Sequence, residues 1–439
     1  MFSLRVGHGL ACMKSRASSL SHARRFLSVR ATVAPECAAV DASSAHADRM
    51  AQVMDIHSST GHQNAASLLR TPLLEPRFWT GEQAVDEALF TLDFAGRGLP
   101  DIASELAAEG SAAVPQDVRE QIQETYDRAG IVLARNTGLD DNLAAMRALS
   151  QVILTETMEY DGGSNSRGEI LSNVFETGAP AVAWLHYHHE MAYVGRSTRQ
   201  ISFACTAAVG DGKATGATFV SEAIGHTNAL MATPLGPKLR DLGICYVRCL
   251  PDRDTGLSDS ITADDSPVYN FWQNSFGVET VAEAEAEANK QGLEFEWGPN
   301  RFLRTKYYVD AFEYCPRLDR NLLYAAVADD SIWFDTWPGV MHLPTMDDPS
   351  TSHEYDRPLK ITFGDGSDFT REELHTLIDV YDQHGVRIDW RAGDVAIMCN
   401  HQWAHGRPGY TLLPGQRREL AVMLGKTYER VGQLDGKGP

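Results

Sequence analysis

The apolar positions of the chain switch between helical and strand periods. Val118, Ile122 and Tyr126 recur every four residues, which predicts an amphipathic helix, and Gly130 ends that run. The apolar run 131–134 follows directly and predicts a buried strand. A helix leading into a strand is therefore expected in this part of the chain.

Polar residues and prolines set the bounds of further helices. Asp140 or Asp141 is the expected N-cap of a helix that carries an apolar stripe after it. A helix over 229–242 is expected to be interrupted at Pro234 and Pro237.

Two Thr-x-x-Glu segments are typical of capping boxes, in which the two side chains bond each other's backbone N–H groups. They pair Thr280 with Glu283 and Thr370 with Glu373. Each predicts the start of a helix.

Short apolar or alternating runs predict several more strands. They are 201–205, 218–220, 245–249, 386–390, 395–398 and the residues after Arg418. No internal repeat is present. Many short strands with helices between them favour a mainly β fold with peripheral α-helices, a double-stranded β-helix or jelly roll.

The composition divides the chain into four parts. Residues 1–35 are rich in Ser and contain six basic and no acidic residues, and residues 36–75 form an Ala-, Ser- and His-rich linker or arm. The main domain is predicted over 76–430, with a helical insertion around 226–300, and residues 431–439 form a tail. The 1–35 composition predicts an organellar transit peptide. Arg25-Phe26-Leu27-Ser28 favours the mitochondrion, with a plastid address or a basic tail on a cytoplasmic protein as alternatives.

The net charge of the chain is −20, and it is near −26 without residues 1–35. Nucleic-acid binding depends on Lys and Arg that neutralise phosphates, so no nucleic-acid partner is expected. No run of about 18 apolar residues predicts a membrane span. The seven widely spaced cysteines do not form a disulfide framework or a zinc pattern. The oligomeric state stays open, a homo-oligomer included.

Candidate chemistry lies in two distant stretches of the chain. His188 and Glu190 form a His-x-Glu motif, and on a strand both side chains would point to one face. His405 could bring a second imidazole to that face, with His401 as the alternative. Two His and one carboxylate are the facial triad of non-haem Fe(II) oxygenases. The same residues could instead hold zinc for hydrolysis.

The region 118–424 resembles the 2-oxoglutarate-dependent dioxygenases of the taurine dioxygenase and clavaminate synthase-like group. The resemblance is carried by several segments in order: His188-His189-Glu190-Met191-Ala192, Gly216-Ala217-Thr218, Phe271-Trp272-Gln273, Phe276-Gly277, Trp333-Phe334, Phe363-Gly364-Asp365-Gly366, Gly393-Asp394-Val395 and Ala404-His405-Gly406-Arg407. The usual second Gly and Glu before Thr218 are absent.

The resemblance implies an oxidoreductase that uses Fe(II), 2-oxoglutarate and O2. It implies that His188, Glu190 and His405 bind the iron. Thr218 and Arg418 are the implied contacts of 2-oxoglutarate, with the neighbouring Arg417 as the alternative cation. Halogenating relatives lack the carboxylate, so its presence favours an oxygenase.

The expected reaction releases succinate and CO2 and hydroxylates a C–H bond of a small polar or zwitterionic molecule. Candidate substrate contacts are Asn173, Tyr193, Trp333 and Arg407; an Asp at 335 departs from the Asn that is common after Trp-Phe. His189 is expected to be structural, and His186 is a further candidate substrate contact. A non-catalytic binding module of the same fold is the remaining alternative.

Overall fold

The computed structural model describes residues 85–158, 169–177, 185–209, 216–254, 271–298, 301–327, 359–410 and 412–430. All of them belong to one unit, Val53–Pro439. The predictions for 1–35, 36–75, 431–439, Trp333 and residue 335 lie outside the described residues.

Short strands dominate the described residues. They are β1 (Thr91–Asp93), β2 (Ile131–Arg135), β3 (Glu169–Leu171), β4 (Val174–Glu176), β5 (Leu185–His188), β6 (Arg196–Thr198), β7 (Gln200–Ala207), β8 (Thr218–Glu222), β9 (Ile244–Leu250), β10 (Glu294–Trp297), β11 (Leu303–Val309), β12 (Phe312–Cys315), β13 (Arg320–Leu323), β14 (Leu359–Phe363), β15 (Gly385–Ile388), β16 (Val395–Cys399), β17 (Trp403–Arg407), β18 (Glu419–Leu424) and β19 (Thr427–Glu429).

The described α-helices lie at the periphery. They are α1 (Ala103–Glu109), α2 (Gln116–Ala129), α3 (Leu143–Ser150), α4 (Ala223–Met231), α5 (Leu235–Leu242), α6 (Trp272–Phe276), α7 (Val281–Lys290) and α8 (Arg371–Asp382), with 3-10 turns at Glu87–Leu89, Leu99–Ile102 and Gly110–Ala113. In the parts of the chain that the structure covers, no helix has the length and apolar character needed to cross a bilayer.

The largest sheet has the strand order β1-β2-β16-β7-β18-β4-β3. Side chains along β16 alternate between two apolar cores, with Ala396 and Met398 in one core and Val395 and Ile397 in the other. Because both faces of the strand are covered, its sequence is an almost unbroken apolar run. Helices α1, α2 and α3 contribute to the core that contains Val395 and Ile397, here called the outer core. The core that contains Ala396 and Met398 is called the inner core.

A second sheet, with the order β15-β8-β17-β5, faces the inner side of the first. Phe203 on β7 meets His405 on β17 edge-on, with ring centroids 5.3 Å apart. Leu420 and Val422 from β18 lie in the same inner core. The two facing sheets form the double-stranded β-helix that the sequence predicts, and His405 lies between them.

A further sheet, β10-β11-β9-β14, draws two strands from the region 226–300. That region, predicted as a helical insertion, therefore contains β9 and β10 as well as helices. Tyr246 on β9 pairs with Tyr307 on β11, and Phe363 on β14 pairs with Ile244.

Most predicted helix bounds are confirmed. Gly130 ends α2 in a left-handed conformation, and both Thr-Glu capping boxes form. The predicted N-cap at Asp140 or Asp141 is wrong, because Asn142 caps α3 by accepting from the N–H of Ala145 at 3.0 Å.

The predicted interruption at Pro234 is confirmed, because α4 ends at Met231 before α5 begins, whereas the interruption predicted at Pro237 is wrong. Pro234 immediately precedes α5, which begins at Leu235. Pro237 does not interrupt this helix, because it lies in the first turn, where backbone N–H groups have no partner within the helix.

Candidate metal centre

Two paired strands bring two histidines together. His405 on β17 lies directly opposite His188 on β5, and their ring centroids are 4.4 Å apart. Gly406 allows this close approach, since a Cβ there would lie 2.6 Å from the carbonyl oxygen of Leu185. The pairing shifts register between His405 and Arg407, so the strand carries an irregularity beside the site.

A carboxylate completes the cluster. The metal-binding atoms of His188, Glu190 and His405 all lie within 4.8 Å of one another. Oε2 of Glu190 is 3.7 Å from Nε2 of His405, and both side chains are largely buried. Two ligands that are each about 2.1 Å from one ion lie at most about 4.2 Å apart, so this pair fits a shared metal.

The prediction that Glu190 lies on the same strand as His188 is wrong. Strand β5 ends at His188, and Glu190 is in the turn that follows. The next residue, Met191, has φ of 58°, the left-handed region that few non-glycine residues adopt. The turn thus brings the carboxylate to the histidines by a different route from the predicted one.

The neighbouring backbone fixes the orientation of the His188 ring. Its Nδ1 lies 2.8 Å from the carbonyl oxygen of His186, to which a protonated Nδ1 donates. Nε2 is then the unprotonated nitrogen that can bind a metal. Two imidazoles and one carboxylate are the donor set of a facial triad, which fits Fe(II).

Thr218 lies at the start of β8 and is buried. Its hydroxyl oxygen accepts from the indole N–H of Trp390 at 2.9 Å. Trp390 also meets Phe203 edge-on at 6.3 Å, and Phe203 contacts His405. Because the oxygen accepts from the indole, the hydroxyl hydrogen is left to donate to another acceptor.

Arg418 is a cation held just before β18. Its Nε donates to the carbonyl oxygen of Gly216 at 2.8 Å, and its guanidinium lies 4.8 Å from the ring centre of Tyr410. Burial lowers the pKa of Arg418, and the nearby Tyr410 partly offsets this effect. Among the described residues, no carboxylate pairs with Arg418. A partly buried guanidinium of this kind is suited to an anionic ligand.

Arg417 points to the opposite side. It forms an ion pair with Glu419, and its side chain is 71% exposed. Gly216 leaves room for the Arg418 side chain, since a Cβ on Gly216 would lie 2.7 Å from Cδ of Arg418. Strand alternation predicts that Arg418 shares the face of Leu420 and Val422, and both of those residues lie in the inner core. However, β18 begins at Glu419, and its pairing with β7 shifts register between Glu419 and Leu420, so the alternation does not extend to Arg418.

The predicted substrate contacts have different surroundings. Arg407 is buried on β17, and its guanidinium lies 5.2 Å from the ring centre of Tyr410, the ring that Arg418 also approaches. Tyr193 is buried with the Arg248 guanidinium 5.9 Å from its ring centre. Asn173 is in the left-handed β3–β4 turn, where its side chain donates to Thr157 at 3.1 Å.

His401, His189 and His186 do not join the cluster. His401 bonds Glu313 at 3.3 Å and stacks near Tyr324. His189 is fully buried, its Nδ1 accepts from the N–H of Ala325, and burial lowers its pKa to about 3, so it is a neutral core residue. His186 is fully buried and meets the Tyr187 ring edge-on at 5.0 Å.

Comparison with known proteins agrees with this geometry. The family model described as "Taurine catabolism dioxygenase TauD, TfdA family" matches residues 97–424. The chain belongs to this family. It is an Fe(II)- and 2-oxoglutarate-dependent dioxygenase, which excludes the zinc-hydrolase alternative.

Individual relatives are distant. The dapdiamide synthesis protein DdaC of Enterobacter agglomerans is 22% identical over 340 residues, covering 75% of this chain and 93% of that protein. The non-haem iron oxygenase OrfP, in complex with Fe, succinate and (3S)-hydroxy-L-Arg, is 15% identical with a TM-score of 0.44, covering 76% of this chain and 94% of OrfP. An asparagine oxygenase in complex with Fe(II), 2S,3S-3-hydroxyasparagine and succinate is 12% identical with a TM-score of 0.39, covering 76% and 93% of the two chains.

Several residues at the site had no signal in the sequence. The sequence pattern predicts Trp390 only as part of a strand, and it predicts no role at the site for Tyr410 or Asn400. Trp390 lies just after β15, which pairs with β8. Its side chain contacts Thr218, a residue 172 positions earlier in the sequence. Long-range contacts of this kind are not visible in local periodicity.

Proposed function

We propose that this dioxygenase hydroxylates a C–H bond of a small polar or zwitterionic substrate, with conversion of 2-oxoglutarate to succinate and CO2. The observation that carries the proposal is the convergence of His188, Glu190 and His405, together with a partly buried cation, Arg418, that has no carboxylate partner among the described residues. Such a cation gives 2-oxoglutarate a binding site that a simple hydrolase would not need.

The residues divide into two binding roles. His188, Glu190 and His405 would hold the iron, as the two His and one carboxylate of a facial triad do. Bound iron supplies the reaction of 2-oxoglutarate with O2 that leads to substrate oxidation. Arg418 holds the distal carboxylate of 2-oxoglutarate through charge-assisted hydrogen bonds, and Thr218 donates its hydroxyl hydrogen to the same molecule.

Burial shapes what these side chains do. Glu190 and His405 are largely removed from water, so the carboxylate and the imidazole interact with an ion more strongly than they would at the surface. The His186 carbonyl keeps the His188 proton on Nδ1, away from the metal side. Trp390 holds the Thr218 oxygen, which aims its hydrogen at the ligand.

A second cation supports an anionic group on the substrate. Arg407 shares β17 with His405, is two residues further along and is buried. The guanidinium groups of Arg407 and Arg418 both lie near the ring of Tyr410, at 5.2 Å and 4.8 Å from its centre, so the two cations are held near the same aromatic side chain. A carboxylate or other acid on the substrate would complement Arg407, which is consistent with an amino acid or another zwitterion.

Turnover of 2-oxoglutarate is the direct test. We expect the full-length, anaerobically iron-loaded protein to release succinate and CO2 only when O2 is admitted, with stimulation by one member of a panel of amino acids, betaines and other small acids. His188→Ala should abolish the release, whereas Arg417→Ala, on the exposed side, should retain it. Failure of 2-oxoglutarate to perturb the iron spectrum of the anaerobic protein would contradict the proposal.

We also propose import into mitochondria, on the basis of the six basic and no acidic residues in 1–35. The full chain with a C-terminal fluorescent protein should enter mitochondria, and the same fusion without residues 1–35 should stay in the cytoplasm. Plastid import, or unchanged localisation without residues 1–35, would contradict this assignment.

A further inference from the structure

The turn between β16 and β17 contains a fully buried asparagine, Asn400. Its side chain bonds both backbone polar groups of Glu190, a residue 210 positions away in the sequence. Oδ1 of Asn400 accepts from the N–H of Glu190 at 2.9 Å, and Nδ2 donates to the carbonyl oxygen of Glu190 at 2.9 Å. One amide side chain thus holds both ends of a single residue.

Two hydroxyl groups support the same residue. Tyr324 donates to the carbonyl oxygen of Glu190 at 3.0 Å and accepts from Nδ2 of Asn400 at 2.6 Å, and the Ser197 hydroxyl lies 3.2 Å from the same carbonyl oxygen. The two hydroxyl groups are also 2.6 Å apart, and all these side chains are buried. Asn400 itself is tied to the neighbouring strand through the carbonyl oxygen of Thr198 at 2.9 Å.

Glu190 needs such support because the strand ladder does not provide it. β5 ends at His188, and Met191 adopts the left-handed conformation, which is unfavourable for a non-glycine residue. Backbone strain of this kind persists where surrounding contacts over-determine the conformation. The amide of Asn400 supplies the donor and the acceptor that a paired strand would otherwise have given.

The same turn also leads into the strand of another member of the cluster. β17 begins at Trp403, and His405 lies on it, five residues after Asn400. A displacement of this turn therefore moves the Glu190 backbone and the His405 strand together. The bonds of Asn400 fix the two ligand segments relative to each other.

We propose that Asn400 is a positioning residue that sets the distance between the Glu190 carboxylate and the His405 imidazole, and so sets the affinity of the metal centre. The inference rests on the proposed role of Glu190 as an iron ligand. Only an amide offers a donor and an acceptor together at this length, since the carboxylate of an Asp cannot donate. Residues that orient metal ligands change metal affinity by about 10–100-fold when they are lost.

The test compares metal affinity with folding stability in five variants of the full chain. Co(II) is the probe, because it does not turn over 2-oxoglutarate and its visible absorption reports the ligands around the ion. We expect Asn400→Ala and Asn400→Asp to bind Co(II) at least about 10-fold more weakly than the wild type, with an altered absorption spectrum. Tyr324→Phe, which removes one of the donors to Glu190, should weaken binding about threefold.

Ser202→Ala is the matched control. Ser202 is fully buried and bonds Ser150 at 2.8 Å and the carbonyl oxygen of Ala396 at 2.9 Å, on the outer face of β7. It therefore loses buried hydrogen bonds without touching Glu190. We expect its Tm to fall while its Co(II) affinity stays within twofold of the wild type.

The outcomes test the role of Asn400 separately from the binding of metal at the cluster. If Asn400→Ala lowers Tm but changes affinity no more than Ser202→Ala does, Asn400 is merely structural and the inference is overturned. If Asn400→Ala does not fold, the inference is overturned when Tyr324→Phe binds Co(II) with the affinity of the wild type. Glu190→Ala tests the underlying function: unchanged Co(II) binding in that variant would show that the metal does not bind at this cluster at all.

Discussion

His188 and His405 lie directly opposite each other on antiparallel strands, with ring centroids 4.4 Å apart. The pairing of β5 with β17 therefore creates the metal cluster from segments more than 200 residues apart in sequence. Glu190 joins it from the turn after β5, so one ligand depends on a turn and two on a strand pair.

Removing Arg418 should weaken binding of 2-oxoglutarate. Charge-assisted hydrogen bonds contribute about 1.5–3 kcal/mol, so Arg418→Gln should raise the KM for 2-oxoglutarate about 10–150-fold. Arg417→Gln is the control, because Arg417 is exposed and pairs with Glu419. Steady-state succinate release at varied 2-oxoglutarate measures both. Equal KM values in the two variants would rule out Arg418 as the specific anchor.

Gly216 should be needed for the position of Arg418. In Gly216→Ala the new Cβ would lie 2.7 Å from Cδ and 2.8 Å from Nε of Arg418, at a φ of +82°. We expect a KM for 2-oxoglutarate raised by about 10-fold or more, with unchanged Co(II) affinity. Gly366→Ala carries a similar backbone strain at φ +84° but meets nothing within 4 Å. If both variants have the same KM, strain and not the lost position of Arg418 explains the effect.

Thr218 should act through its hydroxyl and not through its shape. Thr218→Val keeps the volume but removes one neutral hydrogen bond, which contributes about 0.5–1.5 kcal/mol, so the KM for 2-oxoglutarate should rise about 2–13-fold. Thr218→Ser should restore it. Titration of the anaerobic iron protein with 2-oxoglutarate gives the dissociation constants. A Val variant that binds like the wild type would remove Thr218 from the site.

Acid stability should depend on Glu313. Burial alone would raise the pKa of Glu313, but the Arg430 charge and the His401 hydrogen bond lower it from 4.5 to about 2. A lowered carboxyl pKa stabilises the fold above pH 4.5, by about 3 kcal/mol, and this contribution is lost as the pH falls from 4.5 towards 2. Glu313→Gln should thus be less stable than the wild type at pH 5–7.

Urea unfolding at several pH values tests this dependence. The difference between wild type and Glu313→Gln should shrink as the pH falls below 4.5, because the protonated wild type resembles the variant. The contribution of His401 to stability depends on pH in the opposite direction. Burial alone would lower the pKa of His401, but Cys399 and Glu313 raise it. The stability that His401 contributes is therefore lost as the pH rises above 6.5. A stability difference that is constant from pH 7 to pH 3 would contradict the ion-pair account.

The local part of the fold was predictable from the sequence, and the long-range part was not. Helix α2, the two capping boxes and strands such as β16 follow from periodicity and capping residues. Strand alternation did not establish the direction of the Arg418 side chain, because β18 begins after it, at Glu419. The role of Asn400 was not predictable, because its bonds to Glu190 depend on how two distant turns meet.

The position of Glu190 shows the limit of local patterns most clearly. A period of two predicts that His188 and Glu190 share a face only while the strand continues, and β5 ends at His188. The carboxylate reaches the cluster because of the left-handed turn at Met191. The predicted residues were brought together, but the reason given for Glu190 was wrong.

A crystal structure with Mn(II) and 2-oxoglutarate, grown without O2, tests the central claim most directly. Anomalous scattering locates the metal independently of any assumed ligand. We predict one ion about 2.1 Å from Nε2 of His188, a carboxylate oxygen of Glu190 and Nε2 of His405, with the distal carboxylate of 2-oxoglutarate on Arg418. An ion bound elsewhere, or a distal carboxylate on Arg417, would contradict the account.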